Sequence, residues 1–150
     1  MHRRLFLLTL AALPVAAQPA LATEHDRLFV AKSPYCGCCG AWIEHMRAAG
    51  FEVEVAEVGE DALDALKDRL GVAPEHRSCH TAVIGGYFVE GHVPPDDVRR
   101  LLAERPEAAG LAVPGMPLGS PGMEVGAERE PYDTLLIGAT GEATVFQSHR

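Results

Sequence analysis

The chain has 150 residues, 47% of them hydrophobic, and its 13 basic and 21 acidic residues give a net charge of −8. This acidic balance argues against nucleic acid as a partner, because phosphate binding requires clustered lysine and arginine. Four cysteines are too few for a disulfide-dense scaffold of this length, so their positions are more informative than their number.

The first 22 residues have the pattern of a secretory signal peptide. Arg3 and Arg4 precede an apolar stretch from Leu5 to Val15, and Ala20-Leu21-Ala22 fits an A-x-A cleavage site. A membrane anchor is disfavoured, since the apolar stretch falls short of the roughly 20 residues that a spanning helix needs. We therefore expect a protein exported to the periplasm, with one domain over residues 23–150 and no membrane span after cleavage.

Strand and helix patterns then alternate along the predicted mature chain. Arg27 to Ala31 is predicted to be a short strand. Apolar residues at helical spacing follow and end at Gly50, a typical C-terminal stop; they are Trp42, Ile43, Met46 and Ala49. Next, Phe51, Val53 and Val55 alternate with glutamates, which predicts a half-buried strand.

The second half of the pattern begins with a helix over Asp61 to Leu70, with Leu63, Leu66 and Leu70 on one face. Gly71 ends this helix. Two strands, Thr81 to Ile84 and Tyr87 to Val89, are joined through Gly85-Gly86 as a hairpin. A further helix opens at Pro94-Pro95-Asp96-Asp97 and must end by Pro106.

This order of strand, helix, strand, helix, strand, strand and helix is that of the thioredoxin core. Two additions follow it: a Gly/Pro-rich loop with two methionines, from Gly110 to Gly126, and a terminal β-hairpin formed by Tyr132 to Ile137 and Glu142 to Phe146. The sequence therefore predicts an α/β protein with a thioredoxin-like βαβαββα core, extended by this loop and hairpin.

Three cysteines, Cys36, Cys38 and Cys39, lie at the predicted junction of the first strand and the first helix. Free backbone amides and the helix dipole at a helix N-terminus stabilise thiolates. The cluster therefore suits either a nucleophilic thiol or a soft-metal site, and a structural disulfide is the third interpretation.

The fourth cysteine, Cys79, precedes the third predicted strand in the segment Ser78-Cys79-His80-Thr81-Ala82. Redox-active thioredoxins carry a cis-proline in the corresponding segment, and this one contains no proline. If the fold is right, Cys79 faces the other three cysteines across a sulfur-rich pocket. Two disulfides are the expected state of the oxidised, metal-free protein.

A short repeat in the loop, Pro114-Gly115-Met116 and Pro121-Gly122-Met123, presents two methionines. Such methionines can simply fill gaps in the core. Beside four cysteines, however, they favour a ligand role, and thioether with thiolate selects Cu(I), whereas zinc prefers thiolate with imidazole.

Histidines add candidates to this site. His92, at the end of a predicted strand, and His80, beside Cys79, are both candidate ligands. His45 lies on the first predicted helix and is expected at the surface. Three others flank the predicted elements and are expected to be solvated or to bind metal weakly: His25, His76 and His149.

The combination of YCGCCGAW, SCHTAVIGGYFVEGHVP and GLAVPGMPLGSPGME resembles the periplasmic CopG copper-resistance family, long known as a domain of unknown function. The resemblance runs from about Leu28 to Gln147. It implies a thioredoxin-like protein that binds copper, with a suggested Cu(I)/Cu(II) redox role as a copper oxidoreductase. The residues that it assigns to the metal are Cys36, Cys38, Cys39 and Cys79, with Met116, Met123 and His92 as additional ligands.

Three functions are consistent with these residues. The first is a copper-resistance protein whose thiolates hold Cu(I), in a cluster if sulfurs bridge the ions, and which exchanges copper with periplasmic efflux or carrier proteins. The second is a thiol-disulfide oxidoreductase in which Cys36 attacks and Cys39 resolves; the intervening Cys38 argues against it. The third, a structural zinc site, is disfavoured by the methionine loop.

Overall fold

The computed structural model describes residues 27–150. The predicted signal peptide, residues 1–22, and His25 lie outside the described residues. None of the helices between residues 27 and 150 combines the length and the apolar character needed to cross a lipid bilayer.

One mixed sheet of seven strands and three helices make up this part of the chain. The elements, in chain order, are β1 (Arg27–Lys32), α1 (Gly37–Ala48), β2 (Glu52–Glu57), α2 (Glu60–Leu70), β3 (His80–Ile84), β4 (Tyr87–Glu90), α3 (Pro95–Glu104), β5 (Gly110–Ala112), β6 (Tyr132–Ile137) and β7 (Ala143–His149). A 3-10 turn, Pro74–His76, connects α2 to β3. The α/β class and the seven elements of the predicted βαβαββα order are therefore present, as is the C-terminal hairpin.

The strands are ordered β2-β1-β3-β4-β5-β6-β7 across the sheet. The pairs β1–β2 and β4–β5 are parallel, and the other neighbouring pairs are antiparallel. The strand β5 corrects one prediction, since the chain from Gly110 was expected to be loop. Its three residues are all buried between β4 and β6, so they show no alternation that could have indicated a strand.

Side chains that alternate along the strands build a core on each face of the sheet. Leu28 and Val89 belong to the larger core, which includes the apolar faces of α1 and α3. Phe88 belongs to a smaller core with Val72, which follows Gly71 at the end of α2. The outer strand β2 is more exposed than predicted, because it lies at the sheet edge and its glutamates face solvent.

Glycines end two of the helices as predicted. Gly71 caps α2 with φ of 73° and ψ of 24°, in the left-handed region that favours glycine. Gly50, with φ of 92°, turns the chain from α1 into β2. The start of α3 is likewise as predicted, with Pro95 at its first position and Asp96 and Asp97 in its first turn.

Candidate metal centre

The strand register brings the separated cysteines to one end of the sheet. In the antiparallel pair β1–β3, Lys32 lies opposite His80, so the carboxyl end of β1 adjoins the amino end of β3. Helix α1 begins shortly after Lys32, and Cys79 lies immediately before His80. The α1 cysteines and Cys79 are therefore neighbours because β1 pairs with β3.

The same end of the sheet receives His92 and the methionine loop. Thr81 at the start of β3 pairs with Glu90 at the end of β4, which places His92 close to Cys79. Glu90 in turn lies opposite Ala112 in the parallel strand β5, so the loop that follows β5 leaves the sheet at this end.

The four cysteine sulfurs form one cluster, in which all Sγ atoms lie within 4.8 Å of one another. Cys38 Sγ is 3.4 Å from Cys36 Sγ and 3.8 Å from Cys79 Sγ. Cys39 Sγ is 3.5 Å from Cys79 Sγ. The sulfur cluster is half-buried, with Cys39 fully buried and the other three partly accessible.

One disulfide is present in this cluster, between Cys36 and Cys39, whereas two were expected for the oxidised chain. Cys38 and Cys79 are free thiols. A disulfide joining Cys38 to Cys79 would require their sulfurs to close from 3.8 Å to bonding distance. The chain therefore keeps two thiols beside a disulfide in one pocket.

Cys36 also caps helix α1. Its backbone is extended, with φ of −82° and ψ of 96°, and its sulfur accepts a hydrogen bond from the Cys39 amide at 3.3 Å. The unpaired amides of this first helical turn favour negative charge on nearby sulfur. The start of α1 thus places its free backbone amides beside the cysteines, as predicted.

His92 contributes an imidazole nitrogen to the cluster. Its side chain is fully buried, and Nδ1 lies 2.8 Å from the Pro121 carbonyl oxygen, which can only accept a hydrogen bond. Nδ1 therefore carries the proton, and the unprotonated Nε2 faces Cys79 Sγ at 3.2 Å. Burial lowers the pKa of His92, which keeps the ring neutral and leaves the Nε2 lone pair available to a metal ion.

His80 is also in contact with the cluster, through Nδ1 at 3.4 Å from Cys79 Sγ. Its ring lies 4.4 Å from the Trp42 ring, centroid to centroid, and its buried Nε2 has no hydrogen-bond partner. Burial, and next the neighbouring His92, lower the pKa of His80 well below its usual value. Together with Cys79, the two histidines form a second group of three potential metal-ligand atoms, which lie within 4.8 Å of one another.

The free thiol of Cys79 is protonated at neutral pH in the metal-free chain. Burial is the main cause, and the neighbouring Cys38 adds to it, so that the pKa of Cys79 rises to about 12. A metal ion that binds here must displace this proton, since thiolate is the ligand form of cysteine.

The two Pro-Gly-Met repeats hold opposite sides of the cluster. Gly115 in the first repeat donates its amide to the Arg77 carbonyl at 3.3 Å and accepts a hydrogen bond from the Ser78 hydroxyl, beside Cys79. Gly122 in the second repeat packs against α1: a Cβ atom there would lie 2.8 Å from the Cys38 carbonyl oxygen. The loop is therefore fixed to both cysteine-bearing segments.

The two methionines differ in exposure. Met116 is 52% exposed, and Met123 is half-buried in a turn where its amide donates to the Ser120 carbonyl at 2.8 Å. Ligation by Met116 and Met123 stays a prediction. Of the remaining histidines, His45 is exposed as expected, while His149 corrects the expectation of a solvated side chain, because it contacts Asp97 at 2.9 Å.

Two buried charged residues near Cys79 were not predicted from the sequence. Lys67 and Glu90 form an ion pair whose side chains are 3% and 0% exposed. Lys67 has one local signal of burial, since its spacing from Leu63 and Leu70 places it on the apolar face of α2. Glu90 has no such signal, because a charged residue at the end of a strand ordinarily faces solvent.

Comparison with solved structures places these features in a family. A copper resistance protein CopG, in two structures named Form 2 and Form 1, is 45% and 44% identical to this chain, with TM-scores of 0.77 and 0.78. The alignments cover 83% and 84% of this chain and 98% of each CopG chain. This chain belongs to the CopG copper-resistance family. The resemblance found in the sequence motifs is thereby confirmed.

The part of this CopG-family chain from residue 76 to residue 123 also matches a family model described as a protein of unknown function, DUF411. That segment contains Cys79, His80, His92 and both Pro-Gly-Met repeats, whereas the α1 cysteines precede it. No curated protein matches the chain.

Proposed function

We propose that this protein binds copper for copper resistance and, once a thiol reductant has opened the Cys36–Cys39 disulfide, holds Cu(I) through the thiolates of Cys36, Cys38, Cys39 and Cys79. The observation that carries the proposal is the sulfur cluster, with all four Sγ atoms within 4.8 Å, in a chain 45% identical to a copper resistance protein. His92, oriented by the Pro121 carbonyl, is proposed as a further ligand.

The chemistry of the donors fits Cu(I). Thiolate sulfur is soft and selects cuprous copper, and the neutral Nε2 of His92 is compatible with the same ion. Sulfur can also bridge two ions, so a pocket with four sulfurs favours a thiolate-bridged cluster. Met116 and Met123 would complete the coordination from the loop, because thioether sulfur prefers Cu(I) to zinc.

The arrangement of β1 to β4 and the three helices supports a thioredoxin-like core. Strands in the order β2-β1-β3-β4, with α1 and α3 in one core and α2 beside the other face, fit that proposal. The cysteines then occupy the strand-to-helix junction that carries the redox pair in thioredoxins. Strands β5 to β7 extend this core.

Export to the periplasm by the signal peptide of residues 1–22 is part of the proposal. A mature chain with a net charge of −10 would attract cations in that compartment. Copper would be exchanged with periplasmic efflux or carrier proteins. A redox role, in which bound copper changes between Cu(I) and Cu(II) by exchanging one electron with an external donor or acceptor, is part of the same proposal.

One observation favours a second function, that of a thiol-disulfide oxidoreductase. The Cys36–Cys39 disulfide has C-x-x-C spacing at the start of α1. In its reduced form, Cys36 would attack a substrate disulfide, and Cys39 would displace the second substrate thiol and restore the internal disulfide. The free thiol of Cys38, 3.4 Å from Cys36 Sγ, would compete with this resolution.

The deciding experiment is a Cu(I) titration of the reduced mature protein without oxygen, against a chelator of known affinity, with zinc as a parallel arm. X-ray absorption then counts the sulfur neighbours of copper. We expect Cys79→Ser to weaken Cu(I) binding sharply while a thermal melt shows an intact fold. Unchanged Cu(I) affinity in Cys79→Ser, or preferential zinc binding by the wild type, would contradict the proposed ligand set.

A further inference from the structure

The buried ion pair of Lys67 and Glu90 forms hydrogen bonds with the chain on both sides of Cys79. Lys67 Nζ donates to Glu90 Oε1, to the Thr81 hydroxyl at 2.8 Å and to the Ser78 carbonyl at 3.2 Å. Glu90 accepts from the Ser78 amide at 2.7 Å and from the Thr81 hydroxyl at 2.6 Å. Apart from the bond between Lys67 and Glu90 themselves, all of these hydrogen bonds are made with Ser78 or Thr81.

Burying two charges at this position is costly for the fold. Lys67 lies on the face of α2 that carries Leu63 and Leu70, where an apolar residue would pack with less desolvation. Well-packed apolar residues often replace a buried ion pair with no loss of stability. The pair is therefore explained better by what it holds than by the stability it provides.

The segment that it holds has no strand partner of its own at Ser78. The pairing of β3 with β4 begins with Thr81 opposite Glu90. One further backbone hydrogen bond lies beyond this pair, from the Gly91 amide to the His80 carbonyl at 3.1 Å, and it does not reach Ser78. Both polar backbone groups of Ser78 are instead satisfied by the ion pair. Gly91 also packs closely on this residue, since a Cβ there would lie 2.6 Å from Ser78 Cβ.

We propose that Lys67 and Glu90 are positioning residues that aim the Cys79 sulfur at the α1 cysteines. This inference rests on the proposed copper-binding function. With Ser78 and Thr81 fixed, the Cα–Cβ direction of Cys79 is fixed as well, and Sγ lies 3.5 Å from Cys39 Sγ and 3.8 Å from Cys38 Sγ. Partners that orient a metal ligand commonly change metal affinity about 10- to 100-fold when they are removed.

The first test replaces both charges together, as Lys67→Met with Glu90→Leu, so that no unpaired charge stays buried. We expect the thermal midpoint to fall moderately, because the Ser78 amide and carbonyl lose their hydrogen-bond partners, while Cu(I) affinity falls about 10- to 100-fold. X-ray absorption should show a lower sulfur count. In the metal-free reduced protein, amide hydrogen exchange at Ser78 and Cys79 should accelerate. A folded double variant with wild-type affinity, sulfur count and exchange would overturn the inference.

The second test needs no change of charge and decides the matter if the double variant fails to fold. Thr81→Val removes the hydroxyl that bonds both Lys67 and Glu90 but keeps the side-chain shape, and Thr81→Ser restores the hydroxyl. Lower Cu(I) affinity in Thr81→Val, with recovery in Thr81→Ser, supports the positioning role. Equal affinity in the two variants contradicts it.

Failure of the inference can be distinguished from failure of the proposed function by Cys79→Ser in the otherwise unchanged chain. If Cys79→Ser weakens Cu(I) binding while the Lys67/Glu90 and Thr81 variants do not, Cys79 is a ligand and the pair is structural only. If Cys79→Ser has no effect, the proposed ligand set itself is wrong, and the positioning role is overturned with it.

Discussion

The two Pro-Gly-Met repeats provide a matched pair of substitutions, Gly122→Ala and Gly115→Ala. Both glycines have positive φ, 87° at Gly122 and 69° at Gly115. A Cβ atom at Gly122 would lie 2.6 Å from the Trp42 amide nitrogen and 2.8 Å from the Cys38 carbonyl oxygen, whereas at Gly115 it would meet nothing within 4 Å. Only the first substitution therefore disturbs the contact between the loop and α1.

The expected losses of stability follow from these contacts. An alanine held at positive φ costs about 1–2 kcal/mol at either position. Overpacking against the α1 backbone adds about 1–3 kcal/mol at Gly122, because backbone atoms cannot yield as a flexible side chain can. With about 4 °C lost per kcal/mol in a domain of this size, Gly115→Ala should melt about 4–8 °C lower and Gly122→Ala about 8–20 °C lower than the wild type.

Copper binding should separate the two variants as well. Gly122 follows Pro121, whose carbonyl oxygen accepts the bond from His92 Nδ1 at 2.8 Å. A displaced loop would leave His92 without its orienting partner, so Cu(I) affinity should fall about 10- to 100-fold in Gly122→Ala and little in Gly115→Ala. Thermal melts of the metal-free protein and a chelator competition measure both effects. Equal melting temperatures for the two variants would refute the packing argument.

Three further predictions concern the methionines, the buried histidines and the dithiol. Replacing Met116 and Met123 together by Leu should cost less than about 1.5 kcal/mol per site and yet weaken or reshape Cu(I) binding; an unaltered chelator competition would assign both residues to packing. Because burial lowers the pKa of His80 and His92, the unfolded chain takes up protons below about pH 6.5 that the folded chain does not. Stability should therefore fall on acidification, by up to about 1.4 kcal/mol per pH unit for each histidine. Urea unfolding at pH 7 and pH 5 measures this slope, which His80→Gln should reduce; a flat profile in the wild type would contradict the assignment. In insulin reduction, the reduced protein should be far slower than a thioredoxin, and rapid turnover would favour the oxidoreductase function.

Most elements of the fold could be predicted because each has a local signal. The apolar spacing of Trp42, Ile43 and Met46 is helical, and glycines at 50 and 71 mark the ends of helices. Strand β5 has no such signal, since three residues buried on both faces are too few to show a period. The exposure of β2 depends on its place at the sheet edge, which no local pattern encodes.

The candidate site was predictable in part for the same reason. The meeting of Cys79 with the α1 cysteines follows from the order of elements, and the register of β1 with β3 provides the physical cause. The ion pair could not be found in this way: the spacing of Lys67 on the apolar face of α2 hints at its burial, but a glutamate at a strand end has the composition of a solvent-facing residue. Their pairing depends on the packing of α2 against β3 and β4, which arises only in three dimensions.

The spacing of the cysteines along the chain determines which sulfur contacts can form before folding and which require the folded sheet. The disulfide joins residues three positions apart, whereas Cys79 is 40 positions from Cys39 and 41 from Cys38. Closing the longer loop costs roughly 2 kcal/mol more in chain entropy, about a 50-fold difference in encounter probability. An unfolded chain under oxidising conditions therefore pairs cysteines within the α1 motif first. Cys79 meets the α1 cysteines only after β1 has paired with β3. The topology of the chain therefore disfavours disulfides of Cys79 before the sheet has formed.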